Sequence, residues 1–537
     1  MSGFNLLDEP WIPCRRAVDG APVELGIRDA LVHAHEVGEL FDPSPLVTAS
    51  LHRLLLAVLQ AAYGPPSVDG WLAHWRRERW DPEPLARYFA EHRSGFDLFD
   101  DERPFFQVLP DDDAKEHPIV LLAQERASGN NATLFDHSTQ DTAMPVAPAE
   151  AARYLVAYQA YALGGGVSRP FYLSDGPLAR GFSVMVQGSN LFETLALNWG
   201  AGRQFPRSGT DRPAWEWTTP RKPDKAGTRP VGLADYLTWQ SRRVHLVRAP
   251  DEPRAVKGCR VQQNLSLPRD GSVLDPFKSY RKDKDRGWVP RSFSENRALW
   301  RDSSVLFEWS GDNSKRPDVF DWLAEVREDV GSRYSFSAYG VATAPNKAAS
   351  VLLWRHERMP LPVRYLGDER LVAALAQELE RAEMVGRLFE AGSEAVPLPS
   401  GKTIRIRRPA QILAEGLATT GERQPTREVV SQILAMLQLD RGYWARLETP
   451  FRSLLVGLPT ESTKDEDGLV HYGTATVRPA WHSAIRRAAR ESFDDATRGL
   501  ERTASSRGWK AISEADLALR TRLSQLLPKP TIEEDAA

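Results

Sequence analysis

The spacing of the apolar residues changes once along this chain, near Pro362, and that change limits the folds open to it. Beyond it, residues 368–390 carry Leu371, Val372, Leu375, Leu379, Met384 and Leu388 on one broad stripe, as an amphipathic helix does. Residues 426–439, 441–458, 478–507 and 513–527 repeat that spacing, and Pro409, Pro425 and Pro479 fall at the breaks. Periodic helices of this length predict a bundle. The boundary falls within residues 360–367, which divides the chain into domains 1–365 and 366–537 with a frayed tail from Lys529.

Before the boundary the pattern is mixed. Residues 45–62 place Leu51, Leu54, Leu55, Val58 and Leu59 at helical spacing, which predicts a helix with one core face, ended by Pro65-Pro66. Residues 70–79 and 81–92 read as short helices. Residues 127–148 are polar and without period, a loop long enough to be functional or mobile. A helix over 149–163 then runs into Gly164-Gly165-Gly166. Residues 183–187 and 244–248 alternate as strands do, and 203–230 reads as an extended connection. A helix is predicted over 318–330. Residues 334–339 and 350–354 read as two strands around Pro345-Asn346-Lys347, a hairpin with a small polar tip. The fold class is α+β, a large mixed α/β domain followed by helices.

Composition excludes several functions. With 69 basic and 72 acidic residues the net charge is −3, so no uniformly basic coat for nucleic acid exists. The charge is uneven, however. Residues 1–120 hold 11 basic and 21 acidic residues, a balance of −10, which leaves +7 on the remainder. Residues 278–301 alone carry eight basic residues against three acidic, fitting contacts to a few phosphates or, equally, a solvated loop. Two cysteines, Cys14 and Cys259, exclude a disulfide scaffold and an all-cysteine zinc site. No apolar run is long enough to span a membrane and MSGFNLLDEPW lacks a signal pattern, so a cytoplasmic protein with no membrane partner is expected.

Catalytic motifs are absent. Gly401-Lys402-Thr403 ends like a phosphate loop, but Val396 stands where its first glycine belongs, so a polar turn is the better reading. His33 and His35 with Glu36 and Glu39 would give a metal-dependent nuclease a partial ligand set, without a third ligand at readable spacing. What remains are backbone devices. The triple glycine lets a polymer approach its amides or simply caps a helix. The 346–350 tip enters a groove or stays an ordinary hairpin, and Phe135 stacks on a base or anchors a core.

Several segments in order, FNLLDEPWIPC at 4–14, RPFFQ at 103–107, TLFDH at 133–137, the triple glycine, Thr238-Trp239-Gln240 and ASVLLWRHERMP at 349–360, resemble the CasA family. These are the large subunits of type I-E CRISPR Cascade surveillance complexes. The resemblance spans essentially the whole chain and implies a mixed α/β domain followed by a four-helix bundle. It implies a non-catalytic protein without cofactor whose partners are guide crRNA, double-stranded DNA bearing a protospacer-adjacent motif (PAM), the other Cascade subunits and a helicase-nuclease. Carried onto this sequence, it assigns Phe135 to the guide RNA handle and Gly164, Gly165 and Gly166 to the PAM minor groove. Asn346, Lys347, Ala348, Ala349 and Ser350 become a wedge beside that motif, and the bundle contacts the small subunit. Two departures follow. Some relatives hold zinc with paired cysteines, whereas only Cys259 stands here, so no metal is expected. The wedge glutamine of some relatives falls on Ala348, and a finger lysine falls within 262–266, where there is none. Gln262, Gln263 and Asn264, or else Lys278 and Lys282, are the substitutes. The competing readings are the nuclease and an assembly subunit that touches only RNA and protein.

Overall fold

The computed structural model describes residues 3–111, 114–124, 144–252, 254–344, 347–397, 403–418, 425–500 and 505–528. The chain forms two compact units, one of Met1–Leu299 with Leu306–Leu366, the other of Trp300–Val305 with Gly367–Ala537.

The first unit is organised on the helix Pro45–Tyr63. Ser44 caps it by accepting from the Val47 amide, Pro45 opens it, and Gly64 ends it at φ +78°. Every residue from Pro45 to Gln60 is buried, so the expectation of a single core face is corrected: the helix is enclosed on all sides. It is long and apolar enough to cross a membrane, yet 83% of its most apolar stretch is buried within the protein, as in a core helix. Helices Pro148–Tyr161, Leu191–Trp199 and Leu233–Leu237 pack around it. Among the described residues, four antiparallel three-stranded sheets complete the unit. One sets Val256–Gln263 between Glu116–Pro118 and Arg242–Arg248; another sets Tyr280–Asp283 between Ser314–Lys315 and Gly287–Pro290.

A third sheet holds the hairpin, Arg333–Ala344 paired with Lys347–Pro362. These strands are longer than the alternation suggests: they pair with each other from Arg333 opposite Pro362 to Ala344 opposite Lys347, and Gly181–Gln187 pairs along Ser335–Val341 on the other edge. Near the end the register slips: Thr343 faces Val351 whereas Ala344 faces Lys347, so Lys347–Ser350 begin the second strand in an irregular stretch. Several of the chain's 16 tryptophans cluster in this unit. Trp71 stacks on Trp75 at 5.0 Å, Trp80 meets Trp199 edge-on at 5.4 Å, and Trp322 meets Trp71 at 5.8 Å.

The second unit is helical. Among the described residues, Glu369–Gly386, Leu439–Gly457, Val477–Arg498 and Ser506–Leu526 are its four long helices, accompanied by the shorter Pro409–Ala418 and Arg427–Leu437. Gln438, left-handed at φ 49°, separates two helices, as the sequence spacing anticipates. Periodicity gives no sign of the hairpin Ser393–Pro397 with Thr403–Arg407, and Gly401 and Lys402 of the expected polar turn lie outside the described residues. Trp300–Val305, which the sequence division leaves with the first domain, belongs here: Trp300 stacks on Phe451 at 4.7 Å, and Arg301 pairs with Glu383 at 2.8 Å while lying over Trp444. Glu378 is buried with His482 Nε2 2.6 Å from its carboxylate and the Arg478 guanidinium at 3.6 Å.

Candidate nucleic-acid interface

The triple glycine follows the helix Pro148–Tyr161 and turns the chain through a short bracket. The Gly165 amide donates to the Leu173 carbonyl at 3.0 Å, and the Leu173 amide donates to the Gly166 carbonyl at 2.9 Å. Gly165 is exposed at φ +106°, where a side chain would strain the backbone. Gly164 is required for a different reason. A Cβ there would lie 2.9 Å from the Leu173 carbonyl oxygen and 3.0 Å from the Asp175 amide nitrogen, both backbone atoms that cannot give way.

A polar chain leads from this loop to the hairpin. The Gly164 amide donates to Asp175 Oδ1 at 2.7 Å. Arg180 grips both oxygens of Asp175, Nε to Oδ2 and Nη2 to Oδ1, each at 2.9 Å. Its remaining Nη1 donates to Thr343 Oγ1 at 2.9 Å, next to the register slip of the hairpin. A bidentate arginine–carboxylate pair fixes direction as well as distance. The two backbone devices singled out in the sequence are therefore linked through two side chains.

Beside the glycine loop lies a cleft of about 540 Å³ with Gly164, Gly165, Tyr172, Arg180, Arg269 and Trp288 on its walls. Tyr172 is 66% exposed. Lys282 is exposed on the strand Tyr280–Asp283 with Nζ 5.8 Å from the Trp288 ring centre, and Lys315 Nζ is 4.8 Å from it. Arg269, exposed on the turn after Leu267, is a cation that sequence reasoning missed as a contact. The available signal was its place at the tip of Pro268-Arg269-Asp270-Gly271, directly beyond the amide run.

Other expected contacts are corrected. Lys278 is 4% exposed, and its ammonium donates to the carbonyls of Pro177 and Arg180, both at 2.7 Å, so it forms the floor of the cleft rather than an arm. Gln262, Gln263 and Asn264 are all buried. Gln262 accepts from the Asp111 amide at 2.8 Å. Gln263 accepts from the Ser174 amide at 2.7 Å and donates to Ser174 Oγ at 2.8 Å, bracing the segment behind the glycines. Asn264 donates to the Gln240 carbonyl at 3.0 Å. Gln262 and Gln263 hold loops in place, as does the Nδ2 of Asn264. Phe135 and Asn346 lie outside the described residues, and Lys347, Ala348, Ala349 and Ser350 are placed by backbone alone.

The chain matches the family model of CRISPR-associated protein Cse1 over residues 5–492. It belongs to the Cse1 family. A CasA/Cse1 protein of Thermus thermophilus is 32% identical over 540 residues, covering 97% of this chain and 98% of that protein. The crystal structure of CasA from Thermus thermophilus superposes with a TM-score of 0.76 at 28% identity, over 98% of this chain and 100% of the other. A chain of a CRISPR RNA-guided surveillance complex shares the fold at a TM-score of 0.73 and 23% identity, over 97% and 100%.

In this Cse1-family chain the histidines of the nuclease reading stay apart from any ligand set. His33 Nδ1 and His35 Nε2 lie 3.7 and 3.5 Å from the one Glu36 carboxylate, and among the described residues no three His, Cys, Asp or Glu side chains are arranged to hold a metal ion.

Lys278 gives the cleft a measurable signature. Burial pushes its ammonium down from 10.5 to about 8, although Asp275 and Asp175 partly oppose the shift. Between these values the unfolded chain holds a proton that the folded chain has released, so stability rises with pH across the window. Measured against Lys278→Met, the wild type should gain stability with rising pH from about pH 8 to 10.5 and run parallel to the variant below it. Urea midpoints across that range check this.

Proposed function

We propose that this Cse1-family protein is the non-catalytic large subunit of a cytoplasmic type I-E Cascade complex, that it reads the PAM in duplex DNA, and that it starts strand separation. The observation that carries the reading is the Asp175–Arg180–Thr343 link, which ties the glycine loop to the hairpin beside one cleft edged by Arg269, with Lys282 close to its Trp288 wall. A minor groove offers mainly acceptors and a characteristic width, so a loop of glycines suits it where large side chains do not fit. Unstacking a base step costs a few kcal/mol, which contacts to neighbouring phosphates offset. Target sequence is then read by pairing with guide crRNA, while the handle-binding, backbone and small subunits share the nucleic-acid contacts. The opened complex presents a platform for the helicase-nuclease.

The test uses the assembled complex on a PAM-bearing duplex and on the same target already opened. Deleting residues 346–349 should slow R-loop formation on the closed duplex about tenfold or more, and Lys347→Ala should slow it less, both leaving the opened target unaffected. Equal rates for the deletion and the wild type on the closed duplex overturn the reading.

A further inference from the structure

Three sequence signals remain unused by the duplex-reading cleft: the Arg103–Gln107 motif, the Thr238-Trp239-Gln240 motif and the amide run ending at Asn264. The fold brings all three to a second cleft of about 290 Å³ in the first unit, at the small end for ligand sites. Its wall includes Arg103, Phe106, Trp217, Gln240, Arg243 and Asn264.

Each group has unspent capacity. Arg103 is exposed, and its guanidinium makes no hydrogen bond or ion pair among the described residues. The Gln240 carboxamide is half-buried and likewise makes no hydrogen bond among the described residues, although its backbone carbonyl accepts from Asn264. Asn264 is 2% exposed. Because its Nδ2 is committed to that carbonyl, the orientation of the amide is set and Oδ1 remains a buried acceptor without a donor among the described residues. Trp217 is half-buried with its ring nitrogen committed to the Arg212 carbonyl at 3.2 Å and the Arg221 guanidinium 4.7 Å from its ring centre, so its indole offers a surface flanked by a cation rather than a donor. Phe106, 5% exposed, is held at φ +59°, a left-handed conformation that costs an aromatic residue free energy. Backbone strain beside unpartnered amides and a free cation is the pattern of a binding site.

We propose that this cleft binds a single unpaired nucleotide whose base carries an exocyclic amino group. Arg103 takes the phosphate, the Trp217 indole takes the face of the base, and the Gln240 carboxamide matches an edge that both donates and accepts. The lone acceptor Asn264 Oδ1 selects the amino group, which uracil lacks. The nucleotide has two possible sources, guide RNA or a displaced DNA strand, and only the source rests on the proposed function. The two clefts are neighbours along the chain, since Leu265 lines this one and Leu267 the other.

Fluorescence anisotropy of the full chain with labelled oligoriboadenylate, oligodeoxyadenylate and oligouridylate tests this over a range of salt. Adenylates should bind more tightly than uridylate. Arg103→Ala should weaken binding about tenfold and reduce the salt slope by about one phosphate. Gln240→Leu should weaken binding of adenylate and uridylate alike and leave the slope unchanged. Tighter binding of the ribo- or the deoxy-oligomer names the source, and either supports the site. Wild-type binding by both variants overturns the proposal, as does an equal loss in Arg87→Ala, an exposed arginine on the helix Pro82–His92. A chain lacking residues 346–349 should bind these oligomers normally, so failure of the wedge and failure of this site are read separately.

Discussion

Asp275→Ala should destabilise the first unit by about 3–5 kcal/mol, the cost of stripping one partner from a buried ion pair. Asp275 and Arg53 are each 3% exposed, and Arg53 Nη1 donates to Asp275 Oδ2 at 2.7 Å. The same oxygen accepts from the Tyr236 hydroxyl at 3.0 Å, while Oδ1 accepts from the Phe277 amide at 2.8 Å. Removing the carboxylate therefore leaves a charge, a hydroxyl and an amide without their acceptor in the centre of the unit. Asp275→Asn should cost less, because one carbonyl oxygen remains to accept while the charge is lost. Urea midpoints with unchanged slope measure the difference. A midpoint for Asp275→Ala equal to that of the wild type would mean that Arg53 finds solvent, which its burial contradicts. The loss should also reach the cleft, since Phe277 and Lys278 follow directly from this network.

How much of this was legible in the sequence depends on whether the signal was local. The long helices were, because apolar residues at helical spacing declare themselves within a few turns: Glu369–Gly386 and Leu439–Gly457 differ from the expected spans by few residues. The hairpin was legible in kind but not in length, because its extension rests on pairing between Arg333–Ala344 and Lys347–Pro362 rather than on alternation within either strand. Lys278 shows the limit best. Within a run of eight basic residues it reads as an exposed cation, yet its ammonium is held by carbonyls 101 and 98 residues away. Charge composition carries no trace of those partners. The amide run misled for the same reason: Gln263 reads as a free carboxamide until Ser174, 89 residues earlier, is brought against it. The CasA resemblance, resting on ordered short motifs, is matched by the Cse1 family assignment, but motif order alone could not sort Asn264 into one cleft and Arg269 into another.

Asp175→Ala should have the largest effect on function, because it breaks the link between the glycine loop and the hairpin without touching either. The Gly164 amide loses its acceptor and Arg180 loses both bonds that aim it at Thr343. Hydrogen bonds to charged groups contribute about 1.5–3 kcal/mol each, so a link built from them sets a scale of about tenfold to a hundredfold. On the proposed function, the rate of opening PAM-bearing duplex by the assembled complex should fall within that range, while binding to a target already opened stays unchanged. Arg180→Lys should fall between the wild type and Asp175→Ala, since a point charge near Asp175 remains but the fork that also reaches Thr343 does not. Asp175→Asn should resemble it, keeping an acceptor for Gly164 and losing the ion pair. The discriminating measurement is the ratio of opening rates on PAM-bearing and PAM-lacking duplexes. If Asp175→Ala slows both equally, the link only stabilises the loop; if it leaves the ratio and the rate intact, the glycine loop and the hairpin act independently. A falling ratio requires that the two devices read the duplex together, which is what a guanidinium shared between Asp175 and Thr343 is placed to enforce.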